Sequence, residues 1–234
     1  MIQHLHFEIM KSIVFLLISL VSLVAGAQDS VYLGTSHTIQ SEILKEQRRY
    51  SVSLPQSYHN RKYTPASYPV LYVLDGETAF EYVSTIVRFL SKGVYAHIPE
   101  MIVVGVHNTN RTRDLTPTRS SRRSPADTAK VLFEGSGGSD AFTSFLSGEL
   151  IPLVERSYRT DGFRILMGHS FGGLAATNIL LHYPAIFNAF LIHDPSYWWD
   201  SGYMLKRALA ILPDTDFKKR RVDLSQGDNE DKEG

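Results

Sequence analysis

Residues 165–174 read ILMGHSFGGL. Ile165, Leu166 and Met167 run into Gly168-His169-Ser170-Phe171-Gly172, and an apolar helical pattern follows from Leu174. The five central residues fit G-x-S-x-G. A serine set between glycines where a strand becomes a helix has two physical uses. One is a tight turn in which the serine is incidental. The other is a nucleophile held in a strained backbone so that its hydroxyl points out of the turn. In that reading Gly168 and Gly172 let strand and helix approach, and Gly173 adds slack. Free N–H groups at the helix start then face any oxyanion formed beside Ser170. Alone the pattern is short enough to arise by chance, so its weight depends on what flanks it.

Working outward, "HTIQSEIL" (37–44) and "RRYSVSLP" (48–55) alternate polar and apolar residues, as half-buried antiparallel strands do. "YPVLYVLDG" (68–76) is near-continuously apolar until Asp75-Gly76, the mark of a strand buried on both faces. Phe80, Val83, Ile86, Val87 and Leu90 then keep helical spacing up to Gly93. "MIVVGV" (101–106), "FRILMG" (163–168) and "FNAFLIHDPS" (187–196) read as further buried strands, and "RRVDLSQGDNED" (220–231) starts as a fifth strand, with no burial read for it. Helical patterns lie at 141–158, 174–184 and 202–213, and a long polar stretch covers 107–140. This alternation predicts an α/β fold: a mostly parallel sheet with helices on both faces, preceded by antiparallel strands. Ligands in such sheets sit at the carboxyl ends of the strands, where Ser170 falls.

The chain has 234 residues, room for one sizeable domain, expected here over 28–234. Its 24 Lys and Arg balance its 24 Asp and Glu, so no global field draws it to nucleic acid or a charged membrane. It has no cysteine, which excludes a thiol nucleophile, a disulfide frame and a cysteine metal site. After Lys11, "SIVFLLISLVSLV" is a signal-type apolar run, and "AGAQ" offers Ala25 and Ala27 to signal peptidase. The expectation is a signal peptide over 1–27, a mature chain from Gln28, no stable membrane anchor afterwards, and a bacterial periplasmic or secreted location. Met10-Lys11 reads as the natural start, which leaves residues 1–9 as a misassigned start.

"GHSFGG" after a buried strand, "YPVLYVLDGE" upstream, "NRTRDLTPT" (110–118) between them and "PSYWWD" (195–200) downstream together resemble the putative-esterase family of α/β-hydrolases. That family includes siderophore (enterochelin-type) esterases, S-formylglutathione hydrolases, feruloyl esterases and mycolyltransferases. The resemblance spans about residues 35–234 and keeps the motif order. It implies that Ser170 is the nucleophile and that the N–H groups of Phe171 and Glu77 form the oxyanion hole. It implies an acid after the fifth parallel strand, where Glu230 fits the spacing best and Asp228 is the alternative. It also implies a histidine after that acid. No histidine follows His193 in this sequence. The family's last strand and helix would need roughly 30 more residues, so the expectation is a C-terminally truncated member.

His169 is adjacent to Ser170, and neighbours in a sharp turn point apart. His193 ends a strand on the correct edge, and His107 ends another; a packed, hydrogen-bonded histidine is the competing reading of both. Arg111, Arg113, Arg119, Arg122 and Arg123 in the long stretch would favour an anionic ester if they faced a pocket, and a solvated loop if not. Arg113-Asp114 also reads as a structural ion pair. Trp198 and Trp199 line an acyl site or pack the core. The sequence therefore predicts an exported serine esterase acting on a small-molecule ester through an acyl-enzyme, without cofactor, metal or nucleic-acid partner. The alternative is a non-catalytic remnant or binding module lacking its base.

Overall fold

The computed structural model describes residues 3, 4, 6, 7, 10, 11, 32–94, 96–120, 133–217 and 219–227. Most of the expected signal segment, Arg122, Arg123, Asp228 and Glu230 lie outside the described residues. Chain contacts divide the protein into two units, Met1–Tyr32 and Leu33–Gly234. In the first, the described residues below 12 are helical, and Lys11 Nζ lies 4.3 Å from the centroid of the Phe7 ring. No helix among the described residues is long and apolar enough to cross a membrane.

The second unit is built on a seven-stranded sheet of order β1-β2-β4-β3-β5-β6-β7. β1 (Thr35–Ser41) and β2 (Glu46–Ser53) form an antiparallel hairpin, and β2 also pairs antiparallel with β4 (Ile102–Val106). The hairpin turn comes earlier than the polar-apolar alternation suggested. Glu149 fixes it by accepting hydrogen bonds from the amides of Glu42 and Ile43 and from Ser41 Oγ. From β4 onward the pairs are parallel: β4 with β3 (Tyr68–Val73), β3 with β5 (Thr160–His169), β5 with β6 (Ala189–His193), and β6 with β7 (Arg221–Ser225).

The apolar run of β3 splits between the two faces, as the two-residue period of a strand requires. Leu71 and Val73 meet Ala79, Phe80, Val83 and Val87 of α1 (Gly76–Leu90). Val70, Tyr72 and Leu74 face the larger core, which holds the remaining helices. These are the short α2 (Arg111–Leu115), α3 (Ser139–Phe145), α4 (Ile151–Ser157), α5 (Phe171–His182) and α6 (Trp199–Ile211). Each fully buried Val or Leu on these faces contributes about 1.5–3 kcal/mol. α5 is buried on every side from Phe171 to Leu181, so its polar residues need internal partners. Thr177 Oγ1 donates to the Gly173 carbonyl at 2.9 Å, and Asn178 Nδ2 donates to Ser139 Oγ at 3.1 Å.

β7 is exposed along its whole length. On the α1 side of the sheet an apolar cavity of about 560 Å³ opens, lined by Tyr82, Ile86, Ile165, Met167, Leu191 and Val222 among others. Because β3 to β7 run parallel, Asp75, His107, Ser170 and His193 gather at one edge.

Candidate active site

Ser170 is the hinge between β5 and α5. Its backbone has φ 58° and ψ −116°, a region that residues with a Cβ occupy rarely and at a cost. The surroundings hold it there. Its N–H donates to the His193 carbonyl at 3.2 Å; its own carbonyl accepts from Leu174 N at 2.9 Å and Ser196 N at 3.1 Å. The glycines permit the crossing. A Cβ on Gly168 would lie 2.2 Å from the Gly172 oxygen, and one on Gly173 would lie 3.0 Å from Pro195. Phe171 is the first residue of α5, so its N–H has no acceptor within the helix.

Ser170 Oγ lies 3.1 Å from Ser196 Oγ, and either hydroxyl can be the donor. Ser196 is 4% exposed. Sequence reading passed over it, although it sits in the PSYWWD motif that drew attention to the tryptophans. Those tryptophans separate in the structure. Trp199 is wholly buried and its Nε1 donates to Thr118 Oγ1 at 2.9 Å. Trp198 is 43% exposed and its ring centroid lies 5.8 Å from that of Phe171 and 6.1 Å from that of Phe133.

The second proposed oxyanion donor, Glu77 N–H, belongs to the second residue of α1 and is likewise without an acceptor in its helix. The turn before it is braced. Asp75 is left-handed with φ 55°, and Arg111 grips its carboxylate through Nε at 2.7 Å and Nη2 at 2.9 Å. Asn108 Nδ2 donates to Asp75 Oδ1 and to Glu77 Oε1, both at 2.6 Å, while Asn108 N donates to Glu77 Oε2 at 3.0 Å. Arg111 also stands 5.1 Å above the Phe171 ring. A cavity of about 270 Å³ lies here, lined by Asp75, Glu77, Thr78, Arg111, Gly168 and His169 among others. Arg111 was visible in the sequence only as one of several arginines, and Asp75 only as the end of a buried strand; their pairing was not.

Arg113 lies in a different setting. It donates to Asp114 Oδ1 at 2.6 Å and to both oxygens of Glu46, and Asp114 and Glu46 also receive Arg48. Arg48 and Asp114 side chains are each 1% exposed. The Arg113–Asp114 ion pair thus extends into a four-residue network that ties α2 to β2. Arg119 is exposed.

The structure pairs two of the three discussed histidines with residues other than Ser170. His193 Nδ1 is 2.7 Å from Ser225 Oγ, and His107 Nε2 is 2.8 Å from Ser51 Oγ. Burial, helped by Arg49, pushes the His107 pKa below its usual value. His169 is exposed and lines the cavity. Among the described residues, none of the three hydrogen-bonds Ser170 Oγ, and no group of acidic or histidine side chains could hold a metal ion.

The putative-esterase family matches residues 41–232. The ferri-bacillibactin esterase BesA of Bacillus subtilis (strain 168) is 32% identical over 155 residues, covering 61% of this chain and 53% of that protein. Among solved structures, an IroE-like serine hydrolase from Shewanella oneidensis has a TM-score of 0.77 and 37% identity, covering 82% of this chain and 60% of that one. The BES protein from Bacillus cereus has a TM-score of 0.73 and 26% identity, covering 88% and 80%. The chain therefore spans little more than half the length of the curated relative. Sheet order, strand directions and these likenesses give an α/β-hydrolase fold, and with most of the chain matched, from the end of β1 to beyond β7, this protein belongs to the putative-esterase family.

Proposed function

We propose that the protein is an exported serine esterase in which Ser170 is the nucleophile. The observation that carries this reading is the Ser170 backbone, held in a costly conformation at a strand–helix hinge beside unpaired helix-start N–H groups. Ser170 Oγ attacks the ester carbonyl carbon while its proton passes to a general base. The carbonyl π pair moves onto oxygen, facing the N–H groups of Phe171 and Glu77. Collapse expels the alcohol, which takes the proton, and leaves an acyl-enzyme that water hydrolyses by the same steps. Glu230 or Asp228 is the acid of this scheme.

The relatives' names support a siderophore ester as substrate: BesA acts on ferri-bacillibactin, and a further relative in Aspergillus fumigatus is a triacetylfusarinine C esterase. The exposed Trp198 ring beside Phe171 suits an aromatic acyl group. The apolar run after Lys11 and the small residues at Ala25 and Ala27 support export to the periplasm or beyond. Fractionation of cells producing the tagged chain tests that part.

The catalytic reading is tested with a fluorophosphonate probe and a chromogenic ester on the wild type and Ser170→Ala. Labelling and turnover in the wild type, both lost in the variant, are the expected result. A second reading, a binding module without hydrolysis, is favoured by the absence of a histidine on Ser170 Oγ among the described residues. It is adopted if the wild type binds an ester without labelling or turnover.

A further inference from the structure

We infer that Ser196 is a positioning residue for the nucleophile, holding the Ser170 hydroxyl through a direct hydrogen bond; this rests on the reading of Ser170 given above. Ser196 is placed by the fold and not by chance rotation. Pro195 packs where a Cβ on Gly173 would fall, Ser196 N donates to the Ser170 carbonyl at 3.1 Å, and Trp199 N donates to the Ser196 carbonyl at 3.0 Å. Trp199 is itself anchored on Thr118. The segment 195–199 is thus docked on the hinge that carries Ser170, with the Ser196 side chain turned onto it.

The chemistry then fixes the direction of the bond. A hydroxyl has one proton to give and two lone-pair positions to receive. Among the described residues, Ser170 Oγ is the hydrogen-bond partner of the buried Ser196 hydroxyl. When the Ser170 proton is directed to a base, the proton between the two oxygens must come from Ser196. Ser196 therefore donates to the attacking oxygen. That bond holds the side-chain torsion of Ser170 and offsets the charge left on Oγ as its proton leaves for the base, before the Oγ electron pair passes to the ester carbon. No proton or electron pair is transferred to Ser196.

The test uses the full chain and measures the rate of fluorophosphonate labelling together with kcat and KM on a chromogenic ester. Ser196→Ala, Ser196→Cys and Ser196→Thr are compared with Ser170→Ala and the wild type. Loss of a hydrogen bond to a charging group predicts labelling and kcat about tenfold slower in the Ala and Cys variants. KM should stay within about twofold, since the bond matters to the attacking atom and not to substrate binding. Threonine, which keeps the hydroxyl, should restore the rate. The Cys variant keeps the volume with a weak donor and is read if the Ala variant does not fold. Wild-type labelling in the Ala or Cys variant, with Ser170→Ala unlabelled, overturns the role of Ser196 and leaves the nucleophile standing. Labelling that persists in Ser170→Ala, or is absent from the wild type, overturns the nucleophile reading and this inference with it.

Discussion

Gly168 and Gly172 cross so closely that a Cβ on Gly168 would sit 2.2 Å from the Gly172 oxygen and 2.3 Å from its carbonyl carbon. Both obstructing atoms are backbone, so no side chain can swing aside. Gly168→Ala must push α5 away from β5 and carry Ser170 with it. The expected cost is about 3 kcal/mol or more in urea unfolding. Labelling of Ser170 should fall even in the folded fraction. A variant as stable as the wild type would show that the hinge is looser than this crossing implies.

Arg48 and Asp114 form a different kind of constraint. Both are shut from solvent, and Arg48 lies 5.4 Å and 5.5 Å from the ring centroids of Phe142 and Phe145. Removing one partner of such a pair leaves a charge in a dry setting. Glu46 still reaches Arg48 at 2.9 Å and softens the loss. Asp114→Ala is therefore expected to cost about 3 kcal/mol. Replacing the pair together, by Arg48→Met with Asp114→Leu, should cost less than the single change. A double variant worse than the single one in urea unfolding would count against buried charge as the cause.

The strands were legible because burial on two faces leaves long apolar runs, as at 70–74, and the hinge because glycines surround Ser170. Other features lacked such a signal. The helix expected over 141–158 is interrupted by a π-helical turn at Leu146–Leu150, just before Pro152. Proline has no N–H to give and its ring crowds the preceding turn, so a wider turn relieves it. The stretch read as an irregular loop contains α2, whose Arg113 N–H is capped by Asn110 Oδ1 at 3.0 Å. Contacts between distant segments, such as Arg48 with Asp114 and Ser170 with Ser196, depend on how elements dock. Local pattern carries no trace of them.

The same network sets a response to acid. Hydrogen bonds from Arg113, aided by Arg48, hold the Glu46 carboxyl below its ordinary 4.5, against the opposing effect of burial. A carboxyl lowered on folding adds stability that is complete above its unfolded value and is lost as pH falls through the folded one. Thermal midpoints should therefore drop between pH 5 and the folded value more steeply in the wild type than in Glu46→Gln. Parallel pH curves for the two proteins would remove Glu46 from the account.

Trp198 and Trp199 are neighbours in sequence with opposite expected phenotypes. Trp199 is fully buried against Phe133 and Phe171, at 5.1 Å and 5.3 Å, with its indole N–H satisfied by Thr118. Trp199→Ala opens a cavity and removes the hydrogen bond to the half-buried Thr118, so about 3–5 kcal/mol should be lost. Trp198 keeps one face in solvent beside Phe171, whose N–H is a proposed oxyanion donor. Trp198→Ala should change stability by under about 1 kcal/mol. Its effect should fall on substrate choice instead. An aromatic acyl group stacked on the indole loses that contact, so the kcat/KM ratio of an aryl ester to an acetyl ester should fall about fivefold. Steady-state kinetics on 4-nitrophenyl benzoate and 4-nitrophenyl acetate read this directly. An unchanged ratio in a stable Trp198→Ala protein would place the acyl group elsewhere, and the cavity beside Arg111 and His169 would become the surface to probe next.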